Sequence, residues 1–109
     1  DGRAMRVSVE APETLPDLPA AVETAAYRIA TEALTNAARH SGADVADLLI
    51  TVDAGRLSVA VRDEGRNGQP FTPGVGLTSM RERAAEVGGT LTVSGGDGGF
   101  AVHALLPLS

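Results

Sequence analysis

Thr31-Glu32-Ala33-Leu34-Thr35-Asn36-Ala37-Ala38-Arg39-His40 sets three polar side chains at steps of four. On a helix turning about 100° per residue, Glu32, Asn36 and His40 form one stripe, and that stripe overlaps the arc of Val22, Ala25, Ala26, Ile29 and Ala33. The polar stripe therefore borders the face that packs. A helix whose only duty is packing places polar residues on the far side, and an interior Asn competes for backbone hydrogen bonds. The stripe marks a functional edge, and the rest of the chain reads as its scaffold.

Upstream, Arg6-Val-Ser-Val-Glu10 alternates polar and apolar residues, with Val7 and Val9 on one face, and Ala11-Pro12 ends this short strand. A connector containing Pro16 and Pro19 leads into the helix, with Pro19 suited to its first turn. The helix is expected to run to about His40, where Ser41-Gly42 stops it. Downstream, Asp47 to Asp53 and Arg56 to Arg62 alternate around an Ala54-Gly55 turn, which predicts a hairpin. A second helix is expected from about Leu77 to Val87, stopped by Gly88-Gly89. Thr90 to Ser94 and Phe100 to Leu106 read as strands around a Gly95 to Gly99 loop.

Strand, helix, hairpin, helix, hairpin is an α+β order. It predicts a mixed sheet of about five strands with two to three helices on one face, and residues 1–109 as a single domain. Ser58, Arg62, Thr92 and His103 should look out from the other face.

A chain of this length buries roughly two-thirds of its unfolded surface without staples. It has no cysteine, so disulfides and Cys-based zinc sites are excluded, and with 3% aromatics its core must be Val, Leu, Ile and Ala. The net charge of -5 and pI near 4.8 provide no electrostatic footprint for nucleic acid and no basic face for a membrane. All nine basic residues are arginines, so an anion must be met by guanidinium or by backbone N–H groups. No apolar run approaches the roughly 18 residues of a membrane span. The chain begins at Asp1 without an initiator Met, which suggests a fragment of something longer.

Two glycine-bearing turns, Asp63-x-Gly65-x-x-Gly68 and Gly74-x-Gly76, flank a polar segment. Glycines admit close approach of a ligand to backbone, and a helix starting after Gly76 offers unpaired N–H groups to a phosphate. There is no Walker lysine, and no βαβ unit surrounds the glycine turns as a Rossmann fingerprint would need. Either turn alone could be a turn and nothing more. Together with Glu32 and Asn36 ahead of them, they form a rarer constellation.

That constellation resembles the Bergerat-fold ATPases: Glu32 to His40 is similar to their N box, Asp63 to Gly68 to the G1 box and Gly74-Val-Gly-Leu77 to the G2 box. "EALTNAARHS" with "GLTSMRERAAEVGG" resembles in particular the catalytic ATP-binding domain of bacterial sensor histidine kinases of the nitrate-sensor and DesK-like branch. The resemblance implies a two-layer α/β sandwich that binds ATP with Mg²⁺ and passes the γ-phosphate to a histidine on a separate dimerisation and phosphotransfer domain. A response regulator would be served indirectly, and the domain would be cytoplasmic.

By the same resemblance, Asn36 is the Mg²⁺ ligand and Glu32 the acid–base or water-orienting group. Arg39 and His40 face phosphate or ribose. Asp63 accepts a hydrogen bond from the adenine amino group, with Gly65 and Gly68 letting the base close, and Gly74, Gly76, Leu77 and Thr78 cap the phosphates. His40 lacks the acidic neighbour of a phosphoacceptor. His103 reads as structural, and Arg81 and Arg83 can pair with Glu82 and Glu86. The chain departs from the family pattern at Asn67, inserted before Gly68, and at Phe100, where many relatives carry Thr. Two other readings remain at this point, an anti-sigma-type serine kinase on the same fold and a nucleotide-sensing or protein-interaction module without transfer activity.

Overall fold

The computed structural model describes residues 6–38, 45–63, 77–96 and 99–108. Five strands form one mixed sheet: β1 (Arg6–Glu10), β2 (Val45–Asp53), β3 (Arg56–Asp63), β4 (Thr90–Gly96) and β5 (Gly99–Pro107), in spatial order β1-β2-β3-β5-β4. Two helices, α1 (Ala20–Asn36) and α2 (Leu77–Glu86), are present among the described residues. The α+β layout expected from the sequence is therefore found.

β1 runs parallel to β2, with Val7 opposite Ala46 and Val9 opposite Leu48, and all other neighbours are antiparallel. A parallel pair needs a crossover, and α1 supplies it. The chain thus holds one βαβ unit, but it lies ahead of the glycine turns and not around them.

Alternation decides the two faces. On β3, Leu57, Val59 and Val61 are buried, and on β5 so are Val102, Ala104 and Leu106. These residues meet α1 through Val22, Ala25, Ile29, Ala33 and Ala37, and α2 through Leu77, Met80 and Ala84. Small alanines on α1 let the helix sit close, while Ile29, Leu57, Met80 and Leu106 fill the volume between layers. Each such large side chain contributes about 1.5–3 kcal/mol by its burial.

The helices are not centred on the sheet. α1 packs chiefly on β3 and β5, and α2 on β4 and β5, so β1 is left with little cover. Val7 and Val9 share the helix-side face by register, yet they remain 42% and 59% exposed. On the opposite face Arg62, Thr92 and His103 are exposed as expected, with Ser58 half-buried beside them. Ser58 Oγ lies 2.7 Å from His103 Nε2, and Thr92 Oγ1 donates to the His103 carbonyl at 3.4 Å. His103 is thus the centre of a polar ladder across three strands, in keeping with a structural role.

Three local details differ from the sequence expectation. Pro19 caps α1 and is not in its first turn: its φ/ψ of -54/141 is extended, and its carbonyl accepts the first helical bond from Glu23 N–H at 3.0 Å. α1 is regular only to Asn36 and continues in π-type turns at Ala37 and Ala38, and its expected end near His40 lies outside the described residues. The Gly95 to Gly99 loop is largely absorbed into the sheet, since pairing runs to Gly96 opposite Gly99. A ladder bonds through backbone groups and so proceeds through glycines that side-chain pattern leaves blank.

The β2–β3 turn places both Ala54 (φ 53) and Gly55 (φ 76) in the left-handed region. Two positive φ angles match the twist of a two-residue hairpin turn, but a Cβ there costs roughly 1–2 kcal/mol. Ala54→Asn should therefore raise stability by about 0.5–1 kcal/mol, read as an upward shift of the thermal midpoint by several degrees. An unchanged or lowered midpoint would count against the strain.

Candidate functional site

α1 carries its functional stripe because its two flanks differ. Val22, Ala25, Ile29, Ala33 and Ala37 form the buried line, and Ala26, Ala30 and Leu34 on one side pack partly against the core. On the other side stand Glu32 and Asn36, both half-buried. That flank faces α2: Ser79 Oγ donates to Glu32 Oε1 at 3.2 Å. The second carboxylate oxygen, Oε2, is buried and has no hydrogen-bond partner among the described residues.

An acceptor held in this way costs free energy unless a ligand or solvent meets it. Glu32 also lines a groove of about 620 Å³ between the helices, together with Tyr27, Arg28 and Arg83. Thr31 in the same wall spends its hydroxyl inside the helix, donating to the Tyr27 carbonyl at 2.8 Å.

Asp63 ends β3, the central strand, opposite Ala46. It is 5% exposed and is the one buried charged residue among those described. The alternation that buries Leu57, Val59 and Val61 also turns Asp63 toward the helices, where packing alone would select an apolar side chain.

α2 begins at Leu77, directly after the second glycine turn. The Leu77 side chain is core, so what it can offer a ligand is its backbone N–H, one of those at a helix start without an intrahelical acceptor. Thr78 beside it is exposed. Arg83 approaches Glu86 at 4.0 Å, a long and solvated pair of little energetic weight.

The structure thus brings Glu32 to the first turn of α2, keeps Asn36 one turn further along the same flank, and buries Asp63 under the helices. Arg39, His40, Gly65, Gly68, Gly74 and Gly76 lie outside the described residues, as does Asn67. Nothing is placed there for them. Ser79 was not singled out by sequence reasoning; it stands 47 positions from Glu32, and no periodicity links the two.

The donor set suits a nucleotide with a metal. A buried carboxylate such as Asp63 can accept from an exocyclic amine, and an unpartnered Glu32 oxygen can receive a proton. Asn36 supplies a neutral amide oxygen of the kind a divalent cation takes alongside phosphates and water. Among the described residues no three His, Cys, Asp or Glu side chains converge as a metal cage.

Comparison with known proteins agrees with this chemistry. The family model "Histidine kinase-, DNA gyrase B-, and HSP90-like ATPase" matches residues 21–109. The sensor histidine kinase YxjM of Bacillus subtilis (strain 168) is 42% identical over 91 residues, covering 83% of this chain and 22% of YxjM. The nitrate/nitrite sensor protein NarQ of Escherichia coli (strain K12) is 40% identical over 86 residues, covering 75% of this chain and 15% of NarQ. The chain therefore spans only 15–22% of the length of these relatives. Among solved structures, the histidine kinase domain of the blue-light activated histidine kinase from Erythrobacter litoralis EL346 superposes with a TM-score of 0.80 at 27% identity, over 99% of this chain and 53% of that one.

Proposed function

This chain belongs to the family of histidine kinase-, DNA gyrase B- and HSP90-like ATPases and is homologous to sensor histidine kinases; from that premise we propose that it binds Mg-ATP and donates the γ-phosphate to a histidine on a dimerisation and phosphoacceptor domain of its parent protein. The phosphorylated histidine then serves a response regulator, and the domain works in the cytoplasm. No helix among the described residues is long and apolar enough to cross a membrane.

The observation that carries the reading is Asp63, a carboxylate buried at the end of the central strand. Asp63 accepts the adenine amino group, which selects adenine over bases lacking a donor there. Asn36 offers its amide oxygen to Mg²⁺. The N–H groups at Leu77 and Thr78, with Gly74 and Gly76 before them, meet phosphate oxygens, and Gly65 and Gly68 admit the base. By the family resemblance, Arg39 and His40 would meet phosphate or ribose. Glu32 serves as the acid–base or water-orienting group beside the transferred phosphate. Bound Mg-ATP supplies the phosphoryl group and a metal charge on the phosphate oxygens. The chain's own part is position and charge complementarity.

Calorimetric titration with a non-hydrolysable ATP analogue tests the reading. Binding to the wild-type chain should tighten with Mg²⁺. Asn36→Ala should lose that metal dependence, and Asp63→Ala should weaken binding by about 10–100-fold, the worth of one hydrogen bond to a buried charge. Absence of magnesium-dependent binding to the wild-type chain would overturn the proposal and favour a module without transfer activity.

A further inference from the structure

We infer that β1 is a docking edge for a second copy of this chain, the two β1 strands pairing antiparallel about Ser8 and joining two sheets into one. The inference does not depend on the nucleotide reading. β1 is an edge of the sheet, paired to β2 on one side, and all five of its residues are exposed. Among the described residues no strand lies on its other side, so its outer N–H and C=O groups are a template for pairing.

The sequence of the strand chooses the occupant. Arg6-Val7-Ser8-Val9-Glu10 reads the same from either end, except that its terminal charges have opposite sign. Antiparallel pairing about Ser8 sets Arg6 against Glu10 of the second copy, Glu10 against Arg6 of the second copy, and Val7 against Val9 in both directions. Parallel pairing in register would oppose Arg6 to Arg6 and Glu10 to Glu10, and an antiparallel slip by two residues would set a charge against Ser8. One register satisfies both charges, and it is the one that a two-fold axis generates.

The apolar face gains from the same pairing. Val7 and Val9 lie on the helix side beside Ala46 and Leu48, where the helices leave β1 with little cover. The paired edge brings two valines of each copy together on a face that otherwise stands in water. The other edge of the sheet offers neither advantage. β4 holds no charged residue to fix a register, and its Leu91 and Val93 are already half-buried against the core where α2 packs. Five residue pairs make a contact smaller than a standard interface, so the dimer is weak, with Kd on the order of 0.1–1 mM.

Sedimentation equilibrium of this chain up to about 2 mM, with matching amide spectra, tests the inference. The wild-type chain should associate reversibly, and the amide resonances of Val7 to Val9 should shift with concentration while those of β4 do not. Arg6→Glu and Glu10→Arg each place like charges at both ends of the pair and should each weaken self-association by about tenfold or more. An equimolar mixture of the two should associate to within about threefold of the wild-type affinity, because each strand then meets its complement. Arg6→Glu/Glu10→Arg, which reverses both charges, should self-associate as the wild type does. Neither residue is placed at the nucleotide site, and thermal melts confirm that each variant folds; should one melt early, the wild-type resonance shifts decide. A wild-type chain monomeric at about 2 mM, or concentration-dependent shifts that spare β1, would overturn the inference. So would single variants that associate at wild-type strength, which would put the contact on another face, or a mixture or double variant that stays monomeric.

Discussion

Glu32→Gln should slow phosphoryl transfer by about 10²–10³-fold while leaving ATP affinity within about threefold, the range expected when a positioned base is lost. The amide is isosteric, so the Ser79 hydroxyl keeps an acceptor and the half-buried flank of α1 keeps its volume. The acid–base capacity of the carboxylate is what disappears. Because nucleotide contacts are proposed for Asp63, Asn36 and the start of α2, the ground-state complex should form almost unchanged. Single-turnover transfer from radiolabelled ATP to the acceptor domain gives the rate, and calorimetry the affinity. A loss of affinity with transfer preserved in the bound state would recast Glu32 as a nucleotide ligand.

The second large effect is on stability and falls on a glycine whose own backbone angles are not the reason. α2 ends in a Schellman arrangement: Gly89 N–H bonds the Ala84 carbonyl at 2.8 Å and Gly88 N–H the Ala85 carbonyl at 2.9 Å, with Gly88 at φ 78. A Cβ on Gly88 would meet nothing nearer than Pro107 Cγ at 3.7 Å, so Gly88→Ala should cost about 1 kcal/mol for the left-handed backbone. A Cβ on Gly89 would run into the Leu105 carbonyl oxygen and stand 2.8 Å from Leu106 Cδ2 and 3.2 Å from its Cα. That obstacle is mostly β5 backbone, which cannot step aside without breaking its pairing with β3 and β4. Gly89→Ala should therefore cost about 2–4 kcal/mol, a sizeable share of a stability of about 5–15 kcal/mol. Denaturant titration of both variants checks the order, and a Gly88→Ala that is the worse of the two would show the close approach to be soft.

Sequence alone recovers the fold well where the chain speaks in periods. The alternation of β2, β3 and β5 and the four-residue step of α1 are written in side chains. What is not written there is how far backbone pairing persists through Gly95, Gly96 and Gly99, or that β1 pairs parallel. Val7 and Val9 read as one face of a strand, but their exposure is not written in the pattern, because burial depends on where the helices stop over the sheet. For the site, Glu32 and Asn36 stand out as polar residues bordering a packing face, a conflict visible without coordinates, whereas Asp63 is flagged by the glycine turn it opens and its burial emerges only from the sheet. Ser79 does not stand out, since a serine in the first turn of a helix is unremarkable until the opposite helix is placed beside it. Leu77 carries two roles the sequence cannot separate, its side chain in the core and its N–H at the helix start.

The parallel pairing of β1 with β2 makes everything between Glu10 and Val45 a single closed loop with α1 inside it. In folding terms, β2 with β3 and β4 with β5 are local hairpins, whereas β1 must wait for the whole loop to order, at an entropic cost that such thin cover repays poorly. Detachment of β1 is then the cheapest partial opening of the molecule, and it releases one end of the helix that carries Glu32 and Asn36 without disturbing Asp63. On the proposed binding mode, a nucleotide between α1 and β3 would hold the helix to the sheet when β1 lets go, so that occupancy and local order would be linked, with the edge strand as the fold's weakest clasp and the ligand as its second one.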